Sequence, residues 1–361
     1  MEAALIEPEK ITDKQELISR LRTVISNHYL HFVLKKGAFY LVVIFATLTL
    51  AFLIPRMMPG DPVSRMIRPS PINPLQAEEF EAIKRIILAY FGLAKPLHEQ
   101  YIDFWVHLLN FDLGYSFSYW PKPVIEVLMP RLIFTMVLVV PVLFISFFVG
   151  NWIGSLAAFR KGKGRLSDLL YQLSILSQSA PFYWIALILY VILVADLGIF
   201  PVYGWLPPEM IPGFRLEVFI QALRYYTLPF LVLLITFSGG WATGMRAMIL
   251  YEMDAEYMLY AKHLGFIERT LRMYAQRNAI LPQLTGLNLR FGDLIGATVV
   301  IEAIFGWPGL GNLALQAVLM QDFPLLIGTT IVTLVVVVFG NFLVDITYGF
   351  IDPRIRTGHS G

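Results

Sequence analysis

Six long apolar stretches, separated by more polar segments, run along this chain. They cover residues 37–54, 132–159, 169–199, 225–250, 283–305 and 325–351. Each is long enough for a helix that crosses the hydrocarbon core, which takes about 20 residues. None shows the alternation over about 10 residues that is typical of barrel strands. The pattern therefore predicts an all-α integral membrane protein with six transmembrane helices.

Composition supports the same class and excludes several others. Hydrophobic residues form 57% and charged residues 15% of the 361 residues, against roughly 45–50% and about 25% in soluble domains. The net charge of +2 is too small to indicate a nucleic-acid partner. The chain has no cysteine, which excludes thiolate metal sites. Its histidines show no HExxH pattern, so we expect no metal site.

Motifs for nucleotide binding and hydrolysis are absent from the sequence. It contains neither a GxxxxGK[ST] phosphate-binding loop nor a GxSxG nucleophile motif. We therefore expect no enzymatic activity and no cofactor bound by this chain.

Basic residues predict the orientation of the spans. They cluster in two connections and after the last span, at Arg160, Lys161, Lys163, Arg165, Lys262, Arg269, Arg272, Arg277, Arg354 and Arg356. The positive-inside rule places these segments and both termini on the cytoplasmic side of the cell (inner) membrane. The expected organisation is a cytoplasmic N-terminal extension (1–36), a first span (37–54), an external module (55–130), a five-helix core (131–351) and a cytoplasmic tail (352–361).

Two polar regions carry helical patterns of their own. From Ile18 to Tyr29, apolar residues recur at three- and four-residue steps. This favours an amphipathic helix resting on membrane lipid over a regulatory domain. In the external module, a helical pattern from Ala77 ends at Gly92, and a second helix is expected around Trp105.

Small and polar residues within the spans are candidates for helix packing or for a translocation pathway. Gly150 with Gly154, and Gly292 with Gly296, form GxxxG pairs that let helices approach closely. The candidates for a pathway or gate are Gln178, Ser179, Arg290, Asp293 and Glu302, with Asp345 near the inner end of the last span. An ionisable side chain within the membrane suggests a function, because placing its charge there costs free energy.

Each polar candidate has a structural alternative. The polar residues around Gln178 and Ser179 either line a pore or repair a kink at Pro181. Arg290 and Asp293 are three residues apart and either serve the pathway or neutralise each other. For Glu302, near the outer end of its helix, a capping or a gating role is expected.

The connection 251–282 is the most informative polar segment. Ala261 and Gly265 are four residues apart, hence on one helical face, and both are small enough for a partner to approach the backbone. Tyr257, Tyr260 and Leu264 offer apolar anchors beside them. The segment is either a docking face for a soluble partner or a basic surface helix facing lipid headgroups.

Motifs in order along the chain resemble the peptide-type permease subunits of binding-protein-dependent ABC importers. The segment from Ala261 through Gly265 to the residues RNAILP at 277–282 is similar to their EAA motif. Other similar segments are 59–62 (PGDP), 91–93 (FGL), 95–97 (KPL), 112–117 (DLGYSF), 180–184 (APFYW), 197–202 (LGIFPV), 302–311 (EAIFGWPGLG) and 352–356 (DPRIR). The resemblance covers nearly the whole chain after the N-terminal extension.

This resemblance implies the type I permease fold of ABC importers, with the EAA segment as a coupling helix that docks on an ATPase subunit. The residues to which it assigns ATPase coupling are Glu256, Tyr257, Tyr260, Ala261, Leu264, Gly265 and Arg269. The first two letters of EAA fall on Leu259 and Tyr260, so the acidic residue is not where sugar-type permeases have it. The implied partners are a homologous permease subunit, two ATPase subunits that bind ATP and magnesium, and an external substrate-binding protein.

The implied function is ATP-driven import of short peptides through a pathway between two permeases. Members of this type also move nickel and oligosaccharides, so these stay open as substrates. The rival from another class is a secondary transporter driven by an ion gradient through Asp293, Glu302 or Asp345. It predicts uptake by this chain alone, abolished by collapsing the gradient and indifferent to ATP.

Overall fold

A computed structural model describes residues 34–54, 56–57, 77–90, 92–159 and 164–351 of the chain. Its helices are α1 (Leu34–Ile54), α2 (Ala77–Tyr90), α3 (Leu97–Leu109), α4 (Val124–Phe159), α5 (Arg165–Ser179), α6 (Phe182–Tyr190, continued by a π-helical turn Val191–Asp196), α7 (Leu216–Met253), α8 (Glu256–His263), α9 (Glu268–Phe305), α10 (Leu310–Met320) and α11 (Phe323–Ile351). The expected N-terminal amphipathic helix and the tail 352–361 lie outside the described residues. Apart from one isolated bridge between Tyr115 and Pro123, the described part forms no β structure, which confirms the all-α prediction.

The spans number six when two bent helix pairs are each counted as one. The helices α1, α4, α7 and α11 are individually long and apolar enough to cross a membrane. The pairs α5–α6 and α9–α10 pass the same test together but bend by 108° and 70°. The chain is therefore a multi-pass membrane protein.

The predicted span 169–199 is broken rather than continuous. α5 ends at Ser179, and Ala180 adopts an extended backbone (φ −80°, ψ 138°), because the ring of a following proline disfavours the helical conformation. Pro181 lacks the N–H that would continue the helix and stands before α6 as its N-cap. The two halves meet at 108°.

Other helix boundaries differ from the apolar pattern because the helices extend beyond the hydrophobic stretches. α4 begins at Val124 and α7 at Leu216, each before the predicted span. α9 begins at Glu268 and runs through Pro282, so no new helix starts at that proline. The segment 306–324, expected as a connection, contains α10.

The core forms where α4, α7 and α9 pack together. Its buried apolar side chains include Leu138, Val142, Leu228, Val232, Leu294 and Ile301. α4 approaches α7 to backbone contact at Gly150 and Gly154, where an added Cβ would collide with the carbonyl oxygens of Ser238 and Ala242. The packing role predicted for this GxxxG pair is confirmed.

The region 77–123 contains the two short helices that the sequence predicts. α2 ends before Gly92, whose φ of +67° suits a residue without a side chain. Asp322 ties this region to the core, since its fully buried carboxylate accepts a hydrogen bond from the hydroxyl of Ser116 at 2.5 Å. The same carboxylate caps α11 through the N–H of Leu325 at 3.1 Å.

Candidate functional site

The short helix α8 lies over a buried apolar cluster at one end of the helix bundle. Its inward residues Met258 and Ala261 are 3% and 8% exposed. They belong to one cluster with Ala158 of α4, Met245 and Ile249 of α7, and Leu271, Ala275 and Ala279 of α9. The cluster connects α8 to three long helices.

The outward side of α8 and the turn after it expose large apolar side chains. We call this set the α8 surface; it consists of Tyr257, Leu259, Tyr260, Leu264, Phe266 and Ile267, which are 45–67% exposed. Glu256 and Arg269 are also exposed. A concentration of exposed apolar side chains outside the spans is typical of a protein interaction site.

Ala261 and Gly265 do not share an open face, contrary to the sequence prediction. Ala261 points into the cluster below α8, whereas Gly265 has open space where a Cβ would stand. The difference arises because α8 ends at His263, so the four-residue spacing no longer keeps both residues on one helical face. With a φ of +84°, Gly265 makes a turn that would strain any other residue.

Tyr257 joins α8 to the adjoining ends of α7 and α9, in addition to exposing its ring. Its hydroxyl donates a hydrogen bond to the carboxylate of Glu252 on α7 and accepts one from the amide of Asn278 on α9 at 2.9 Å. Asn278 also donates to Glu252 at 3.4 Å. Burial, together with the hydrogen bond to Glu252, raises the pKa of Tyr257. We call these three residues the Tyr257 triad.

Two adjacent glycines of α7 allow α5 and α9 to approach it from different sides. A Cβ on Gly239 would collide with Ser174 and Ser177 of α5. A Cβ on Gly240 would lie 2.6 Å from Nη2 of Arg290 on α9. Polar side chains of α5 and α9 therefore lie on two sides of this part of α7. We call these the polar junction: Gln178 and Ser179 of α5, Thr243 of α7, and Arg290 and Asp293 of α9.

Gln178 and Ser179 are exposed at the end of α5, next to the helix break. The side-chain oxygen of Gln178 accepts a hydrogen bond from the hydroxyl of Thr243. Ser174 and Ser177 are buried instead, and their hydroxyls donate to carbonyl oxygens of α5 at 2.8 and 3.0 Å. The two buried serines therefore serve helix packing, whereas Gln178 and Ser179 remain on an open surface.

Arg290 and Asp293 do not neutralise each other. No ion pair joins them, and neither forms a hydrogen bond with any residue in the described part of the chain. The guanidinium of Arg290 lies over the ring of Trp241 instead, 5.6 Å from the ring centroid. Asp293 is exposed. The side chain of Asp345 lies outside the described part of the structure.

The second GxxxG pair lies on an open face of α9. A Cβ on Gly292 or Gly296 would meet no atom within 4 Å, and Leu289 is 78% exposed. Unlike the first pair, these glycines pack against no other helix in the described residues. Asp293 lies beside Gly292, and its charge makes contact with hydrocarbon costly.

Glu302 is fully enclosed and caps α10. Its carboxylate accepts hydrogen bonds from the hydroxyl of Thr135 at 2.7 Å and from the backbone N–H groups of Gly311 at 2.7 Å and Asn312 at 3.2 Å. A carboxylate at a helix N-terminus satisfies free N–H groups and the helix dipole. These bonds show the capping role, and Glu302 is 0% exposed, so it faces no open surface of the described residues. The gating role stays a prediction.

Two features of α7 were not predicted from the sequence. Arg246, an ionisable residue within the span α7, lies over the ring of Tyr171 on α5, 4.2 Å from the centroid. The second feature is the close approach of α5 and α9 to α7 at Gly239 and Gly240. The available signal was a group of small and polar residues inside an apolar span, at Ser238, Gly239, Gly240, Ala242 and Thr243.

The chain is similar to transport proteins over most of its length. Residues 150–357 match the family described as binding-protein-dependent transport system inner membrane component. The oligopeptide transport system permease protein AppB of Bacillus subtilis is 29% identical over 327 residues, which cover 90% of this chain and 99% of that protein. The probable D,D-dipeptide transport system permease protein DdpB of Escherichia coli is 31% identical over 344 residues, covering 90% and 98%. A putative peptide transport system permease protein of Brucella abortus is 33% identical over 325 residues, covering 90% and 98%.

Proposed function

The chain belongs to the family of inner membrane components of binding-protein-dependent transport systems, and we propose that it is one of two permease subunits of an ATP-driven importer of short peptides. In this proposal, a homologous permease forms the other half of the pathway. Two ATPase subunits bind ATP and magnesium on the cytoplasmic side, so hydrolysis takes place outside this chain. An external binding protein delivers the peptide.

The exposed α8 surface is the observation that carries the proposal. Large apolar side chains that are 45–67% exposed to solvent outside the spans need a partner to cover them. The cluster beneath α8 includes residues of α4, α7 and α9. An ATPase bound to the α8 surface would therefore displace α7 and α9, which carry residues of the polar junction, when it closes on ATP.

The open face of α9 supports a second permease as its neighbour. Gly292 and Gly296 permit close approach of another helix, and no described residue of this chain fills the space over them. Asp293 makes lipid an unfavourable neighbour. We infer that the homologous permease covers this face and that the polar junction lines the pathway between the two subunits.

Peptides are the proposed substrate because of the names of the relatives. Those of the Bacillus subtilis and Escherichia coli proteins specify oligopeptide and D,D-dipeptide transport. Competition for uptake among a dipeptide, an oligosaccharide and nickel ions would separate the substrates open to this type of permease. The proposal predicts that only unlabelled peptide competes with a labelled dipeptide.

Co-purification tests the α8 surface directly. The chain is produced with its second permease and ATPases and solubilised gently. Tyr260→Asp or Leu264→Asp places a charge in the apolar contact, and we expect about 30-fold weaker ATPase binding, as for the loss of an interface hot spot. The second permease should remain bound. Leu109→Asp in α3, where the side chain is 75% exposed, is the matched control. Full ATPase retention by both α8 variants would contradict the proposed coupling surface.

A further inference from the structure

Arg290 is a cation within a membrane span, and its hydrogen-bond donors have no acceptor among the residues that the structure describes. It lies in the segment Leu289–Phe305, which forms a bent span with α10. Its guanidinium forms no hydrogen bond or ion pair with any described residue, including Asp293 one turn away. A guanidinium at this depth is costly unless it is paired or hydrated. It offers five N–H donors for an acceptor from outside the chain.

Two elements hold this guanidinium in place without using its donors. Trp241 of α7 contributes its ring, 5.6 Å from the guanidinium carbon, through a cation–π contact. Gly240 leaves the space that the group occupies, since a Cβ there would lie 2.6–3.1 Å from three guanidinium atoms. The fork is positioned by α7 and α9 together, and no described residue accepts a hydrogen bond from it.

The neighbouring groups suit a polar ligand rather than a lipid tail. Arg290 is only partly buried, and Asp293 is exposed. Asp293 supplies a charge of the opposite sign on the same helix, and it forms no ion pair within the described part of the chain. A ligand that carries both a carboxylate and an ammonium group would satisfy both residues, whereas an apolar ligand would leave both charges unpaired and desolvated.

We propose that Arg290 binds the C-terminal carboxylate of the transported peptide as it passes the polar junction. This assignment rests on the proposed peptide permease function. Guanidinium and carboxylate match geometrically through two parallel N–H to O hydrogen bonds. Because every unmodified peptide ends in a carboxylate, this contact selects peptides as a class without reading their side chains.

Uptake of two forms of one dipeptide tests this assignment. The complete complex, with second permease, ATPases and binding protein, is reconstituted in vesicles, and uptake of the free acid and of its C-terminal amide is measured separately. Arg290→Gln should lower the ratio of acid to amide uptake about tenfold relative to the unmodified complex, since charge-assisted hydrogen bonds are lost. The preference of the binding protein cancels, because it delivers both forms to both complexes. Arg290→Lys keeps the charge without the fork and should give an intermediate ratio.

The control and the outcomes separate this assignment from a structural role. Arg215→Gln removes the same charge from an exposed residue just before α7 and should leave the ratio unchanged. An unchanged ratio in Arg290→Gln would overturn the assignment. An equal fall for acid and amide, with loss of the second permease on size exclusion, would also overturn it and indicate that Arg290 pairs with the partner. If Arg290→Gln does not assemble, the ratio in Arg290→Lys decides. No uptake of either form by the unmodified complex would overturn the proposed function itself.

Discussion

Gly309 has no room for a side chain, because an added Cβ would overlap the carboxylate of Glu302. That carboxylate cannot move away cheaply, since it is fully buried and bonded to Thr135 and to the start of α10. Gly309→Ala should therefore destabilise the protein by roughly 1–3 kcal/mol, as overpacking does elsewhere. The measurement is the midpoint of thermal unfolding in detergent, followed by tryptophan fluorescence.

Gly37→Ala provides the matched comparison for Gly309→Ala. A Cβ on Gly37 in α1 would meet no atom within 4 Å, so its unfolding midpoint should stay at that of the unmodified protein or rise slightly, because alanine favours a helix over glycine. Equal midpoints for the two variants would show that the contact between Gly309 and Glu302 does not restrict the fold.

Among the helices, α8 depends most on a few specific bonds, because it is only eight residues long. The hydroxyl of Tyr257 joins it to Glu252 and Asn278. Tyr257→Phe removes that hydroxyl. The free energy that holds α8 against α7 and α9 should then fall by the net contribution of one or two hydrogen bonds, about 0.5–1.5 kcal/mol each. Amide hydrogen exchange of α8 should then become about two- to 100-fold faster.

Tyr260→Phe is the control for the Tyr257 triad. The side chain of Tyr260 is 67% exposed, and its hydroxyl has no hydrogen bond to a described residue. Exchange of α8 should be unaffected by this change. Equal exchange in Tyr257→Phe and Tyr260→Phe would mean that apolar packing alone holds α8.

The sequence predicts the spans better than it predicts their shapes. Apolar length is enough to place six spans. The GxxxG spacing is enough to predict the packing role of Gly150 and Gly154. It does not give the 108° bend after Ser179, because one proline ends a helix while another lies inside a continuous one. Pro282, for example, lies within the uninterrupted α9. The difference depends on the packing around each proline, which a hydropathy pattern does not contain.

The candidate site is predicted only in part, because the packing between helices is again not contained in the sequence pattern. Exposure of Tyr260 and Leu264 follows from their place in a polar connection outside the spans. The burial of Ala261 depends on where α8 ends, and the enclosure of Glu302 depends on how α10 folds back. Residue spacing within one helix carries no information about these tertiary contacts.

At the scale of the whole molecule, the scarcity of charge supports the proposal that other subunits supply the energy for transport. Only 15% of residues are charged. The intramembrane carboxylate of Glu302 is enclosed by hydrogen bonds rather than open to ions. An exposed α8 surface and an open face of α9 both require partners in the proposed importer. The chain by itself then provides the conduit.

Uptake by reconstituted vesicles tests this account most directly. The complete complex is compared with vesicles that hold this chain alone, each with ATP inside or outside and with or without an ionophore that collapses ion gradients. We predict that labelled dipeptide enters only vesicles with the complete complex and ATP on the ATPase side, and that the ionophore has no effect. Uptake by this chain alone that needs an ion gradient and ignores ATP would contradict the account.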